Sequence, residues 1–142
     1  MNVKEAIQTR RAYRSLAPEE ITEELIRDLA KRVQLAPSCM NNQPWRLIFV
    51  HNPSRLEQLF TALSSGNKWA EKASMIIAVF SKPENDCMIK GRNYFLFDTG
   101  LAISLLVLRA TELNLVAHPI AGFDEQKAKE ILNIPNEMIL IT

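Results

Sequence analysis

Glycine is scarce in this chain, with 4 among 142 residues. No GxGxxG run, Walker-type loop or nucleophile elbow occurs, so the usual phosphate-cradling and acyl-transfer motifs are excluded. Cysteine is scarcer still. Cys39 and Cys87 are the only two, with no metal-ligand spacing and no disulfide framework, and two reduced thiols in a cytoplasmic protein are expected. Charge of one sign is not in excess: 17 Lys and Arg against 16 Asp and Glu leave a net charge of +1. Nothing therefore draws the chain to nucleic acid or a membrane surface by long-range electrostatics, and any bound anion must be held by a local cluster. The opening MNVKEAIQTRRAYR lacks the apolar core of a secretory signal, which points to the cytoplasm. A long uninterrupted hydrophobic run is also missing. Tyr94 to Leu113 comes nearest, but Asp98 and Arg109 break it, leaving too little for ~30 Å of hydrocarbon. It reads instead as a helix buried in the middle of a soluble protein. No metal site and no catalytic side chain stand out, so an enzyme of this sequence would leave the chemistry to a cofactor.

What is present is one domain's worth of ordinary globular sequence, 47% hydrophobic and long enough to bury a substantial core. Asn2 with Glu5 forms a capping-box pattern opening a short helix through about Gln8. Thr22 caps a second helix, with Ile21 and Ile26 placed as a staple and Leu25, Ile26, Leu29, Ala30 and Val33 as its buried stripe. Pro37 ends it near Leu35 or Ala36. Arg46 to Val50 reads as a strand. Asn52 and Pro53 start a helix to about Leu63, and Ser74 to Ser81 reads as a buried strand. After the long apolar helix, Asn114 serves as a left-handed terminator. Leu115 to Ile120 then reads as a strand, Asp124 caps a helix ending before Pro135, and Met138 to Ile141 begins a last strand. MILIT has no closing turn, so the fold is expected to be completed by residues beyond Thr142, with residues 1–142 forming a single domain.

Three constellations carry chemistry. Arg10 and Arg14 share a face whether the segment is helical or extended, with Arg11 placed differently. Such guanidinium groups repel unless an anion sits between them, and a terminal phosphate suits their planar donors; a solvated basic turn is the plain alternative. Ala36 to Trp45, APSCMNNQPW, sets Ser38, Cys39, Asn41, Asn42 and Gln43 between two prolines. In an extended loop Asn41 and Gln43 point the same way, offering donors and acceptors to a heterocycle edge such as the pyrimidine side of a flavin; an ordinary polar turn is the alternative. His118 to Asp124, HPIAGFD, ends a strand with Gly122, which permits close backbone approach to a ligand. His118 itself reads more readily as packed than as a proton donor. The turn Gly66, Asn67, Lys68 adds a further amide and cation.

Together these segments resemble the nitroreductase family of FMN enzymes. RRAYR is similar to that family's N-terminal arginine motif, and APSCMNNQPW to its loop of Pro, Ser, an Asn and Gln-Pro-Trp. The stretch DTGLAISLLVLRATELNLVAHPIAGFDEQKAKEILNIP resembles its central helix and a strand with a PIxGFD-like end. The resemblance keeps this order from Arg10 to Pro135. It implies an α+β three-layer sandwich: a mixed, mainly antiparallel sheet flanked by helices, with the long central helix packed at a homodimer interface. It implies Arg10, Arg11 and Arg14 near the FMN phosphate. Ser38, Cys39, Asn41 and Gln43 would line the flavin of the partner subunit, Asn67 would meet the pyrimidine edge, and backbone at Ala121 and Gly122 would lie near N5. The implied activity is hydride transfer from NAD(P)H through the flavin to a small acceptor, a nitroaromatic or quinone. A flavin-binding or storage module without turnover is the competing reading, and dehalogenation or flavin breakdown would keep the fold with other chemistry. The sequence departs from the family pattern at Ala12 and Cys39, where Ser is common, and at Asn114, where Gly is usual. A thiol at 39 would expose the site to oxidation.

Overall fold

A computed structural model describes residues 1–142. The chain runs α1 (Val3–Thr9), α2 (Glu23–Val33), β1 (Arg46–Val50), α3 (Pro53–Phe60), β2 (Ile76–Ser81), β3 (Met88–Ile89), β4 (Arg92–Asn93), α4 (Phe95–Glu112), α5 (Glu125–Leu132) and β5 (Ile139–Leu140). The helix starts are where their capping residues predict. Asn2 Oδ1 accepts the Glu5 N–H at 3.0 Å and Glu5 Oε2 accepts the Asn2 N–H at 3.0 Å, completing the capping box. Thr22, Asn52 and Asp124 each accept an N–H from the first turn of α2, α3 and α5, each such cap contributing ~1 kcal/mol.

β1 pairs antiparallel with β2 along its whole length, and β5 pairs antiparallel with β2 at Phe80 and Ser81. The sheet order is β1-β2-β5, and every pairing present is antiparallel. Side chains alternate across this sheet. Val50 and Ala78, with Ile48, Ile76 and Phe80, join Leu56 and Leu59 of α3 and Ala128 of α5 in one core. Leu47, Phe49 and Ile77 pack on the opposite core, formed by Leu29 and Val33 of α2, Trp45, and Ala102, Leu106 and Ala110 of α4. The result is the expected three-layer sandwich. Helices cover both faces, which is why β1 and β2 read as continuous apolar runs rather than as alternating ones.

α4 buries Phe95, Asp98, Thr99, Ala102, Leu106 and Ala110, spaced three or four apart along one stripe. Its other side is open: Leu96 is 52% and Phe97 62% exposed. The helix is thus central but buried on one face only, against the expectation of burial on nearly all sides. Asn114 does adopt the left-handed conformation, with φ 60. The Leu115 N–H returns to Ala110 O at 2.8 Å and the Asn114 N–H to Thr111 O at 3.0 Å, a Schellman ending.

The expected strand Leu115–Ile120 is absent. An apolar segment becomes a strand only when a neighbour completes its ladder, and here, past the Leu115 N–H that closes α4, Ile120 alone has its backbone hydrogen-bonded. Its N–H donates to Thr142 Oγ1 at 3.1 Å and its carbonyl accepts from the same hydroxyl at 2.9 Å. The sequence also hid the 3-10 turns over Ser65–Lys72 and the β3–β4 hairpin. That hairpin turns on Lys90 and Gly91, with φ 51 and 78, the positive pair a type I′ turn requires.

Candidate functional site

The loop Ser38–Gln43 follows α2 and is the most strained part of the backbone. Met40, Asn41 and Gln43 have φ of 50, 57 and 49, a left-handed region that costs a residue with a Cβ ~1–2 kcal/mol. Such strain persists only where the surroundings over-determine it, and it gathers at functional sites. Ser38 Oγ accepts the Gln43 N–H at 3.0 Å across the loop, and the Gln43 amide donates to Asn41 Oδ1 at 3.3 Å. The side chains of Asn41 and Gln43 therefore meet, through a 3-10 turn over Cys39–Asn41 rather than the extended loop expected, and no group of the chain meets Asn41 Nδ2 or Gln43 Oε1. Behind the loop, the buried Ser81 hydroxyl donates to Pro44 O at 2.7 Å and fixes the start of β1 against β2.

Two anchors hold the loop, one to the N-terminal end of α4 and one to the segment before β3. The Cys39 N–H donates to Asp98 Oδ2 at 2.6 Å, and Cys39 is joined to Cys87 by a disulfide with a Cα–Cα distance of 6.0 Å. The expectation of two reduced thiols is thereby corrected. A sequence separation of 48 gives no local signal, and only the β3–β4 hairpin, which lies beside the loop, brings the two together. Asn42 Nδ2 adds contacts to Asp86 Oδ1 at 3.3 Å and Cys87 Sγ at 3.5 Å. Asp98 is 3% exposed. Burial pushes its carboxyl above the ordinary range, nearby Asp86 adds to the rise, and the Cys39 N–H acts against it. Asp98 is the residue the sequence reading missed. Its signal was a lone carboxylate inside an apolar helix, which there served only to argue against a membrane span.

The second group forms around Gly122. Its carbonyl accepts both the Ser64 N–H at 3.1 Å and the Asn67 side-chain N–H at 2.9 Å. A Cβ on Gly122 would lie 2.7 Å from Asn67 Nδ2 and 2.7 Å from Ser64 Oγ, so a side chain there must first displace those two side-chain ends, and close approach rather than dihedral angle favours glycine. Asn67 Oδ1 in turn accepts from Trp69 Nε1 at 3.2 Å. The structure thus joins Asn67 to Gly122 directly, while Ala121 beside them is exposed and its backbone makes no hydrogen bond within the chain.

The arginine segment reaches this second group through Trp69. Arg14 stacks over the Trp69 ring at 5.9 Å, a cation–π contact. The His118 ring lies 4.4 Å from the same indole, with Nδ1 3.2 Å from the Tyr13 carbonyl, so His118 is packed between Trp69 and the arginine segment. Arg11 turns back to the carbonyls of Gln8 and Arg10, both at 2.8 Å. Arg10 borders a cleft of about 520 Å³ with Thr99, Gly100 and Ser104 of α4, together with Pro119 and Thr142. The three guanidinium groups therefore turn to different neighbours, and none is in an ion pair with a carboxylate. Elsewhere the pairing is tight: Arg109 binds Asp28 at 2.5 Å and Glu112 at 2.5 Å, and Arg32 binds Asp28 at 2.7 Å, joining α2 to α4. Hydrogen bonding to Arg109 holds the Asp28 carboxyl below its ordinary value.

Within one chain, then, Arg14, Trp69, Asn67 and Gly122 form one connected group. Ser38, Cys39, Asn41 and Gln43 form another with Asp98 and Cys87, and no hydrogen bond passes between the two. No helix is long and apolar enough to cross a membrane.

The sequence matches the model of the Nitroreductase family over residues 7–71 and 61–142. Among characterised proteins it is similar to an NADH dehydrogenase of Thermus thermophilus, at 24% identity over 96% of this chain and 81% of that protein. Among solved structures it is similar to a nitroreductase family protein from Clostridium novyi, with a TM-score of 0.90 and 26% identity over 99% of this chain and 81% of that one. A protein from Exiguobacterium sibiricum solved in complex with FMN gives a TM-score of 0.87 at 20% identity, over 99% of this chain and 85% of that one.

Proposed function

The chain belongs to the nitroreductase family, and from that membership we propose that it is an FMN-dependent oxidoreductase that takes hydride from NAD(P)H and reduces a small acceptor such as a nitroaromatic or quinone. The observation that carries this reading is the family match, which spans the arginine segment, the 38–43 loop and the 118–124 segment together. The donor set fits the cofactor. Arg10, Arg11 and Arg14 hold three positive charges within five residues and no carboxylate neutralises any of them, which suits a phosphate dianion. Asn41 Nδ2 and Gln43 Oε1 are a free donor and a free acceptor side by side, the complement of a heterocycle edge that alternates carbonyl and N–H.

Bound there, FMN would supply the hydride chemistry at its N5, and the chain's own task is binding and positioning. Arg10, Arg11 and Arg14 would hold the phosphate, and Ser38, Cys39, Asn41, Gln43 and Asn67 the ring system. The backbone of Ala121 and Gly122 would lie against the ring, where the unpaired peptide at 121 offers a donor and an acceptor. No side chain of the chain is assigned as acid or base.

In the same reading a second copy would bring together the two groups of site residues, which no hydrogen bond joins within one chain. The open side of α4, with Leu96 and Phe97 exposed, is the apolar surface that would be covered in such a homodimer. A location in the cytoplasm belongs to the same reading.

The experiment is spectroscopic. Protein loaded with FMN should run at twice the chain mass by light scattering, bleach on adding NADH or NADPH, and recover its flavin absorbance with a nitroaromatic. A loaded protein that bleaches with neither nucleotide is a flavin-binding module instead. Replacing Arg10 and Arg14 with Ala should weaken FMN binding by several kcal/mol, since each hydrogen bond to a charged group contributes ~1.5–3. Unchanged flavin retention in that double variant refutes the phosphate assignment.

A further inference from the structure

The Cys39–Cys87 disulfide sits where a covalent tie matters most. Cys39 opens the turn in which Met40, Asn41 and Gln43 are all left-handed, and Cys87 lies on the segment leading into the β3–β4 hairpin. Besides the turn bond that its carbonyl accepts from the Asn42 N–H, Cys39 is tied by the bond from its N–H to Asp98, and Asn42 Nδ2 adds longer contacts to Asp86 and Cys87. We propose that Cys39–Cys87 is a reversible thiol–disulfide site that clamps the 38–43 loop, so that the redox state of this pair sets how tightly the loop grips its ligand. The identity of that ligand as FMN rests on the function proposed above.

The geometry gives the clamp its leverage. Reduction removes the covalent tie and frees each thiol to turn about its own χ1, so that the hydrogen bond from the Cys39 N–H to Asp98 and the Asn42 contacts to Asp86 and Cys87 are left to hold the loop. Three left-handed residues persist only where the surroundings over-determine them, so the loop loosens once the tie is gone, and a misplacement of ~1 Å is enough to spoil a positioned site. Both cysteines are half-buried, and the neighbouring Met40 and Met88 are 86% and 62% exposed, so a small thiol can reach the bond. In a cytoplasmic protein a disulfide is more often transient or redox-sensing than structural.

The chemistry balances with a dithiol as reductant. Its thiolate attacks one sulfur and breaks the Cys39–Cys87 bond, giving a mixed disulfide and one cysteine thiolate. The second thiol of the reductant displaces the other cysteine and becomes the cyclic disulfide. The reductant loses two electrons, the protein gains them, and both cysteine sulfurs end protonated.

The test compares the full chain as isolated without reductant, after excess dithiothreitol, and as the Cys39→Ser, Cys87→Ser double variant. Thiol titration of the unfolded protein should find no free thiol in the first sample and two in the second. Amide hydrogen exchange, measured without flavin, should accelerate on reduction across residues 38–43 and 86–93 while the β1–β2 ladder stays protected. FMN affinity, read by fluorescence, should fall about tenfold, equivalent to ~1.4 kcal/mol, and the double variant should match the reduced protein with or without dithiothreitol. Two free thiols in protein treated with oxidised glutathione, or exchange in the loop that reduction leaves unchanged, overturns the clamp. Faster exchange on reduction with no FMN bound in either state supports the clamp and overturns the flavin assignment instead. If the variant fails to fold, the comparison of the oxidised and reduced native chain decides the matter alone.

Discussion

Gly122→Ala tests the tightest packing in the candidate site. The new methyl group would stand 2.7 Å from both Asn67 Nδ2 and Ser64 Oγ, where ordinary contact begins near 3.4 Å. Both neighbours must therefore retreat by about 0.7 Å, the difference of those two distances, on the scale at which packed interiors begin to strain. Asn67 cannot retreat without stretching its 2.9 Å bond to the Gly122 carbonyl, and that bond contributes ~1 kcal/mol. Overpacking adds ~1–3 kcal/mol, so a total loss of about 2–4 kcal/mol is expected, from the bond and the strain together. For a chain of this size ~1 kcal/mol moves Tm by roughly 3 °C, so thermal unfolding followed by circular dichroism should show a fall of about 6–12 °C. Ser64→Ala in the same background should restore part of it. That change removes the Oγ clash and leaves Ser64 Cβ at an ordinary 3.6 Å. A Gly122→Ala protein that melts within about 1 °C of the parent, well inside the shift expected, would show that the turn is loose and that glycine is not required there by packing.

Two further predictions concern charge. Asp28 has its folded pKa depressed, chiefly by Arg109, so its contribution is fully present above the ordinary value of 3.8 and is lost as pH falls through the folded value. Asp28→Asn should therefore destabilise the protein at pH 7, and urea melts should find the gap between parent and variant narrowing on the acid side; an equal gap at pH 7 and at pH 2 would refute this. Asp98 has the opposite sign: its raised pKa, caused first by burial, means that stability is lost as pH rises through the folded value. Asp98→Asn keeps an acceptor for the Cys39 N–H and removes the buried charge. It should be at least as stable as the parent at pH 7 with a flatter pH dependence above pH 4, whereas Asp98→Ala should lose ~1–3 kcal/mol by stranding that N–H.

The parts of the fold legible in the sequence are those decided locally. Asn2, Thr22, Asn52 and Asp124 cap helices because an N-cap needs only its own side chain and the N–H groups of the next turn. β1 and β2 were legible as apolar runs because both of their faces are covered. Leu115 to Ile120 carries the same apolar signature without forming a strand, since pairing depends on a neighbour that periodicity cannot report. Cys39 and Cys87 failed for the same reason at longer range. Within the site, Asn67 and Gly122 were each recognisable, but their mutual hydrogen bond was not, and Ser64 and Trp69 gave no signal because their roles exist only through those partners. Asp98 was visible as a charge in an apolar helix; what it binds depends on how α4 meets the 38–43 loop.

The arginine segment bears on function through what its charges lack. Arg11 rests on two carbonyls and Arg14 on an indole, while Arg10 borders the cleft beside α4. Lack of a carboxylate partner is not by itself distinctive, for Arg46 and Arg55 also make only neutral contacts. What sets the segment apart is density: three such cations within five residues, in a chain that pairs Arg27, Arg32 and Arg109 with acids. Carbonyls and an indole satisfy the donors of Arg11 and Arg14 one at a time and leave the mutual repulsion in place. Under the function proposed above, a dianion bound at the segment would offset that charge, and the flavin phosphate would be that dianion.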